Sequence, residues 1–461
     1  MKNYSLKPTE ENAIELLKSN PIRRNMNLFR FIDLLDNIKE SCTIAINGEW
    51  GSGKTFFVRQ AKLVIDALNQ STAMDESTRV KILGCYPNKN TEHECHSTVY
   101  YDAWMYDNHD DPILSLIYAS IASRQTDFAE GKKRSILDGV AALAGALSGR
   151  DISSVLQTAR GADAFADFKD ADDIREMVKE FINSLISEHG NRLVFFIDEL
   201  DRCKPDYAIR FLERIKHYFD DDRVTFVLSV SLSQLQETVK SYYGAEFDAT
   251  RYLDKFFDLR ISLPQPDMKN YLQTRLGMYE ETIVESMCIE TIMQYRLSLR
   301  EAERFARIFR IGIRPAAMKA VQGNPAGNAR LFCATYIIPL VLILQMTNMA
   351  EYIEFISGRN SKPLLEVLHW GNIRFAYEFL IGAGEEYDEN KKTIVIKETT
   401  SASEVPVADR LEDVYQALFA RRPYLHYNES RIGAMEFSDN VKGYIAEIIS
   451  LISQLTDYQS E

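Results

Sequence analysis

The feature that most constrains this chain is a ten-residue stretch, GEWGSGKTFF, at positions 48–57. A β-branched run, CTIAI at 42–46, stands immediately before it, and KTFFVRQAKLVIDAL at 54–68 follows with helical spacing of its apolar residues. Strand, glycine-rich turn and helix in that order predict a βα unit whose strand lies buried in a parallel sheet. Glycines at 48, 51 and 53 permit backbone angles that turn successive N–H groups toward the inside of the loop. The pattern Gly48, Gly53, Lys54, Thr55 fits a loop that wraps a triphosphate. Lys54 would bring a flexible positive charge to the β and γ phosphates, Thr55 a hydroxyl to Mg²⁺, and the helix N-terminus a partial positive charge. The candidate contacts are Gly48, Trp50, Gly51, Ser52, Gly53, Lys54, Thr55 and Phe56. Trp50 cannot turn its ring into such a cradle, so it is expected to point outward and pack on a neighbouring element. The competing reading is a glycine turn in an ordinary βα unit, against which a second motif weighs.

That second motif is RLVFFIDELDRC at 192–203. Leu193 to Ile197 form a central strand signal, and Asp198 and Glu199 stand at its C-terminal end, where ligands bind in open parallel sheets. Asp198 is placed to hold Mg²⁺ and Glu199 to orient or deprotonate an attacking water. The alternative is a strand end with solvated acids. A further buried strand, RVTFVLSV at 223–230, runs into Ser229, Ser231 and Ser233. Ser231 is a candidate γ-phosphate sensor, although serines at strand ends also serve as turn formers.

Length allows roughly two to four domains at about 150 residues each. With 46% hydrophobic and 26% charged residues the chain has the balance of a folded globular protein. The 54 basic and 67 acidic residues give a net charge of −13, which disfavours attraction of the whole surface to nucleic acid or anionic lipid. GKKRS at 131–135 and RIGIRPAAMKA at 310–320 remain as local basic sites. The charged N-terminal stretch contains no apolar segment of signal-peptide length, and a cytoplasmic location is expected. The cysteines at 42, 85, 95, 203, 288 and 333 show no disulfide framework and are expected to be free, mostly buried thiols. Cys85, His93, Cys95 and His96 tempt a zinc reading, but their intervals match no common zinc module. Two apolar segments, 136–149 and 336–344, fall short of the roughly 20 residues a helix needs to cross a bilayer, so buried helices and no membrane are expected.

Taken together these segments resemble the KAP family of P-loop NTPases, a branch of the additional-strand NTPases related to AAA+ and STAND proteins. INGEWGSGKTFFV is similar to the family's phosphate loop with its internal tryptophan, and VYYDAWMYDNHDDPILSLI at 99–117, FFIDELDRCKPDYAIRFLERIKHYF, FDATRYLDKFFDLRISLPQP at 247–266, LSLREAERFARIF at 297–309 and YIIPLVLILQMTNMAEYIEFISG continue the likeness over about residues 20–360. The resemblance implies an α/β fold with a central parallel sheet, a helical insertion between the two nucleotide motifs and a mainly helical C-terminal region. The boundaries that follow are a core segment at 1–106, the insertion at 107–190, the rest of the core at 191–266, a helical lid-like domain at 267–360 and an accessory domain at 361–461. Many relatives carry transmembrane helices between the two motifs, and relatives commonly have an acid where Ser231 stands.

The same resemblance implies ATP and Mg²⁺ as cofactors, an ATPase acting as a switch or remodelling motor, a homo-oligomer with a separate effector or partner protein, and a role in prokaryotic defence. Trp104 would be a structural aromatic near the site. Arg251, Lys255, Arg260 and Arg300 are candidate cations for the γ phosphate, with Arg300 the sensor-helix candidate. Adenine is favoured over guanine, as no Asn-Lys-x-Asp motif stands out. Two other functions stay open: a scaffold stabilised by nucleotide with little hydrolysis, and an ATPase stimulated by nucleic acid. In the C-terminal part, LEDVYQALFAR reads as helix, KTIVIKE as strand and TTSASE as a polar break, while His369, His426 and Asp409 lack catalytic or metal spacing.

Overall fold

The structure, a computed structural model, describes residues 7–88, 92–109, 111–122, 171–186, 190–313, 324–370, 374–397, 402–419 and 431–457. The apolar segment at 136–149, the basic site at 131–135, most of the one at 310–320, and His426 lie outside the described residues. The chain divides into two compact units, Leu6–Pro266 and Asp267–Glu461.

In the first unit, five strands form a parallel sheet: β1 (Cys42–Asn47), β2 (His96–Asp102), β3 (Arg192–Asp198), β4 (Val224–Val230) and β5 (Leu259–Ser262). Their order is β2-β3-β4-β1-β5. The strand β4 therefore separates the strand that feeds the glycine loop from the strand that carries the acids, which is the additional-strand arrangement. Every residue of β3 and β4 is buried, as continuous apolar runs require when both sheet faces are covered. Alternation decides which face each side chain serves. Val194 and Phe196 point to a cluster built with α1 (Glu10–Ser19), α2 (Asn25–Asn37), α3 (Lys54–Leu68) and α4 (Glu76–Leu83). Leu193, Phe195 and Ile197 point to the other, built with α5 (Pro112–Ala122), α6 (Ala171–Ile186), α7 (Pro205–Tyr218) and α8 (Leu232–Tyr243). Phe195 stacks on Phe226 at 5.0 Å between ring centroids, and Phe219 meets both edge-on. Of the 107–190 insertion, α5 and α6 are described and are helical.

Four of the six cysteines are buried and all are free thiols. His93 and His96 do not converge with Cys85 and Cys95. Each imidazole instead bonds one oxygen of Asp36, His93 Nδ1 at 2.6 Å and His96 Nε2 at 2.9 Å. This clasp ties the start of β2 and the chain before it to the end of α2.

The second unit opens with helices at Met268–Thr274, Ile283–Gln294 and Leu299–Ile308, the last started by a capping box between Ser298 and Glu301. Its apolar run at 336–344 sits inside a continuous helix, Pro325–Thr347, of 23 residues. This corrects the expectation from run length: the helix is long and apolar enough to span a bilayer. Yet 89% of its most apolar window is buried inside the protein, the environment of a core helix. The separation expected at 360 is not a boundary between compact units. Tyr415 Oη donates to the Phe355 carbonyl at 2.7 Å, and Asn328 Nδ2 to the Ala434 carbonyl at 3.0 Å, across that position. Part of the expected polar break is a strand, Ala402–Pro406, because Thr393–Lys397 offers it an antiparallel partner, with Glu385–Asp388 on the far side.

Candidate functional site

The C-terminal ends of the parallel strands bring the two sequence motifs together. Asn47 aligns with Val230, and Asp198 aligns with Ser229 on one side and Asp102 on the other. Crossing from β1 to α3, Gly51 and Gly53 take φ of 76° and 92°, the left-handed region where a side chain would be strained. At Gly48 the space is tight, since a Cβ there would lie 2.8 Å from Ser52 Oγ and that hydroxyl would have to turn away. The loop closes over the Lys54 ammonium, which donates to the Gly48 carbonyl at 2.6 Å and the Glu49 carbonyl at 3.2 Å. Burial lowers the Lys54 pKa, and the charges of Asp201, Asp198 and Glu199 oppose that shift. Phe56 packs its ring on the apolar cluster beneath the loop.

Asp198 is buried at the end of β3, where Tyr100 Oη donates to it at 2.9 Å and the Thr55 hydroxyl bonds it as well. Burial raises its pKa, against the lowering by these hydroxyls. Glu199 follows in a left-handed conformation, φ 61°. Burial and the neighbouring Asp198 push its carboxyl up to about 7, while Arg202, to which it is ion-paired, pulls the other way.

Trp50 turns out of the loop and is 47% exposed. Its indole Nε1 donates to Asp201 Oδ2 at 2.8 Å, and the same oxygen accepts from the Ser231 backbone N–H at 3.0 Å. One carboxylate thus ties the glycine loop, the turn after β3 and the end of β4. Its other oxygen, Oδ1, is buried without a partner among the described residues. The Arg202 guanidinium lies 5.8 Å from the Trp50 ring and 5.5 Å from that of Trp104, which is 53% exposed.

Among the serines, Ser231 turns its hydroxyl to Ser233 Oγ at 3.0 Å, and it is Ser229 that faces Asp198. Arg251, Lys255 and Arg260 are exposed, Arg260 being paired with Asp254. Arg300 belongs to the second unit and is exposed. Sequence reasoning did not single out Tyr100, Asp201, Arg202 or Arg24, whose Nη1 donates to the Ser52 carbonyl at 2.5 Å. For Asp201 and Arg202 a signal existed, as both sit inside the second motif.

Comparison with solved structures finds the Aeropyrum pernix ORC1 protein in complex with DNA at 15% identity, covering 85% of this chain and 92% of that one with a TM-score of 0.31. No curated protein matches the chain. The family profile described as the KAP family P-loop domain matches residues 26–314, well over half of the chain. With its glycine loop, buried acid and additional strand, the chain belongs to the KAP family of P-loop NTPases.

Proposed function

We propose that the chain hydrolyses ATP with Mg²⁺, and that the state of its nucleotide drives self-assembly or engagement of a partner protein. The observation that carries this reading is the meeting of Thr55, Asp198 and Glu199 at the mouth of the loop that encloses Lys54. A hydroxyl bonded to a deeply buried carboxylate fits the oxygen-ligand chemistry of Mg²⁺, so Thr55 and Asp198 are the residues that would hold it. When bound, the ion would neutralise charge on the phosphate oxygens. Lys54 exchanges its two loop carbonyls for phosphate oxygens. Glu199 takes the proton of the attacking water, or orients it, once its carboxylate leaves Arg202. The loop's backbone N–H groups and Ser52 complete the cradle, and Trp50 holds the loop from outside through Asp201.

A second reading, nucleotide as a structural ligand with slow turnover, draws support from the Glu199–Arg202 ion pair, which occupies the carboxylate that hydrolysis needs. Assembly that moves Arg202 would reconcile the two. An arginine supplied from another copy, for which Arg300 is the candidate, would then add transition-state stabilisation. The family likeness, rather than the site, suggests a separate effector and a place in defence. Turnover measured across protein concentrations decides between the readings: a rate per molecule that climbs with concentration supports assembly gating, and a flat, negligible rate with intact binding supports the structural ligand.

A further inference from the structure

Arg24 lies outside both nucleotide motifs, in the turn that starts α2, and is only 5% exposed. A guanidinium buried this deeply normally has a carboxylate beside it, because an uncompensated charge out of water is costly. Among the described residues Arg24 has no such partner. To the described residues its side chain makes one hydrogen bond, from Nη1 to the Ser52 carbonyl, and its Nε–H is buried with no acceptor among them. Burial alone accounts for its pKa falling to about 10, which leaves it charged at neutral pH.

The loop residue it touches shows the same imbalance. Ser52 Oγ is buried without a partner among the described residues and lies on the Gly48 side of the loop, 2.8 Å from where a Cβ on that glycine would stand. Two buried donors therefore meet at one residue of the phosphate loop, with one carbonyl between them and no anion from the protein. A surplus of donors and positive charge is the complement of phosphate oxygen. The Ser52 carbonyl, held by Arg24, is also kept from turning into the cradle, where it would repel an anion.

We infer that Arg24 is the positioning cation of the phosphate loop, its buried charge balanced by the polyphosphate of the bound nucleotide. The inference rests on the nucleotide reading above and adds a residue that sets affinity rather than the rate of the chemical step.

The experiment compares the full chain with its Arg24→Met, Arg24→Lys and Lys54→Ala variants. It reads the Kd for Mg·ATP by calorimetry, the Tm without nucleotide, and turnover at saturating ATP. Methionine keeps the length of the side chain and removes the charge. Arg24→Met is expected to bind Mg·ATP about tenfold more weakly, the scale of one charge at close range in a partly screened site. Without nucleotide it should melt at the same temperature or higher, since an unpaired buried charge has gone, and its turnover at saturation should stay within about twofold. Arg24→Lys should recover part of the affinity. A merely structural arginine behaves in the opposite way, so an Arg24→Met chain that melts lower without nucleotide, or fails to fold, overturns the inference. Unchanged affinity in Arg24→Met overturns it too. If the wild type takes up no ATP and Lys54→Ala matches it, the nucleotide reading fails and the inference goes with it; loss confined to Lys54→Ala removes Arg24 alone.

Discussion

The two units share helix-capping side chains and differ in where their buried acids gather. In the second unit polar side chains close helices and turns: Ser298 and Glu301 cap one another's backbone, Thr282 and Asn324 cap two further helices, and the apolar helix 325–347 fills the core. In the first unit polar and charged groups gather, only partly satisfied, around the phosphate loop and the strand ends beside it. Among the described residues Asp201 Oδ1, Ser52 Oγ and Arg24 Nε have no partner, and the carboxyls of Asp198 and Glu199 are held above their ordinary range. A fold keeps such costly groups where binding or chemistry uses them. Nucleotide binding should therefore depend on the loop and strand ends of the first unit, and substitutions there can be set against substitutions in the core of the second.

The largest separation is expected from Lys54→Ala and Ile343→Ala. Lys54→Ala should weaken ATP binding by about a hundredfold or more, since a buried charge facing phosphate is lost, with the melting temperature little changed. Ile343→Ala removes a fully buried side chain and should cost about 2–5 kcal/mol of stability, measured by denaturant unfolding, while the surviving folded protein binds ATP normally. Loss of nucleotide binding in folded Ile343→Ala would break the division.

Asp201→Asn should be smaller. It keeps the shape but weakens the acceptor shared by Trp50 and Ser231, and a charged hydrogen bond of this kind is worth about 1.5–3 kcal/mol, so turnover should fall by roughly tenfold or more. The pH dependence is a finer test. If Glu199 acts as a base it must be ionised, so turnover should rise through about pH 7, and Arg202→Met should move the midpoint upward by removing the opposing cation. The stability sign runs the other way. A carboxyl whose folded pKa is about 7 against an ordinary 4.5 binds more protons when folded, so folded-state stability falls as pH rises across that window. Glu199→Gln should lose that dependence in thermal melts. The smallest effect is expected for Trp50→Phe, which removes one indole N–H from Asp201 at a part-exposed position, costing about 1 kcal/mol and lowering ATP affinity by several-fold at most.

The phosphate loop, the acid-bearing strand and the intervening strand were legible because each is a local pattern: glycines at fixed offsets, and apolar runs that end in acids. What the sequence hid is long-range. Arg24 reaches Ser52 across 28 positions, Tyr100 reaches Asp198 across 98 and Trp50 reaches Asp201 across 151, separations that no periodicity encodes. The apolar run at 336–344 understated its helix because helical geometry continues through Asn328 and Arg330, which a count of uninterrupted apolar residues leaves out. The strand at 402–406 was read as a break for a similar reason: its polar composition gives no strand signal, and its antiparallel neighbour supplies the hydrogen bonds that hold it. The candidate cations Arg251, Lys255, Arg260 and Arg300 lie farther along the sequence, while the cation that meets Glu199 is Arg202, three residues along the same turn.

The most direct test of the account is ATP binding and turnover in Glu199→Gln beside the wild type, over a range of protein concentrations. Glu199→Gln should bind Mg·ATP as tightly as the wild type and turn over at background at every concentration, because the acid that serves the attacking water is gone while the cradle is intact. Wild-type turnover in Glu199→Gln would contradict it.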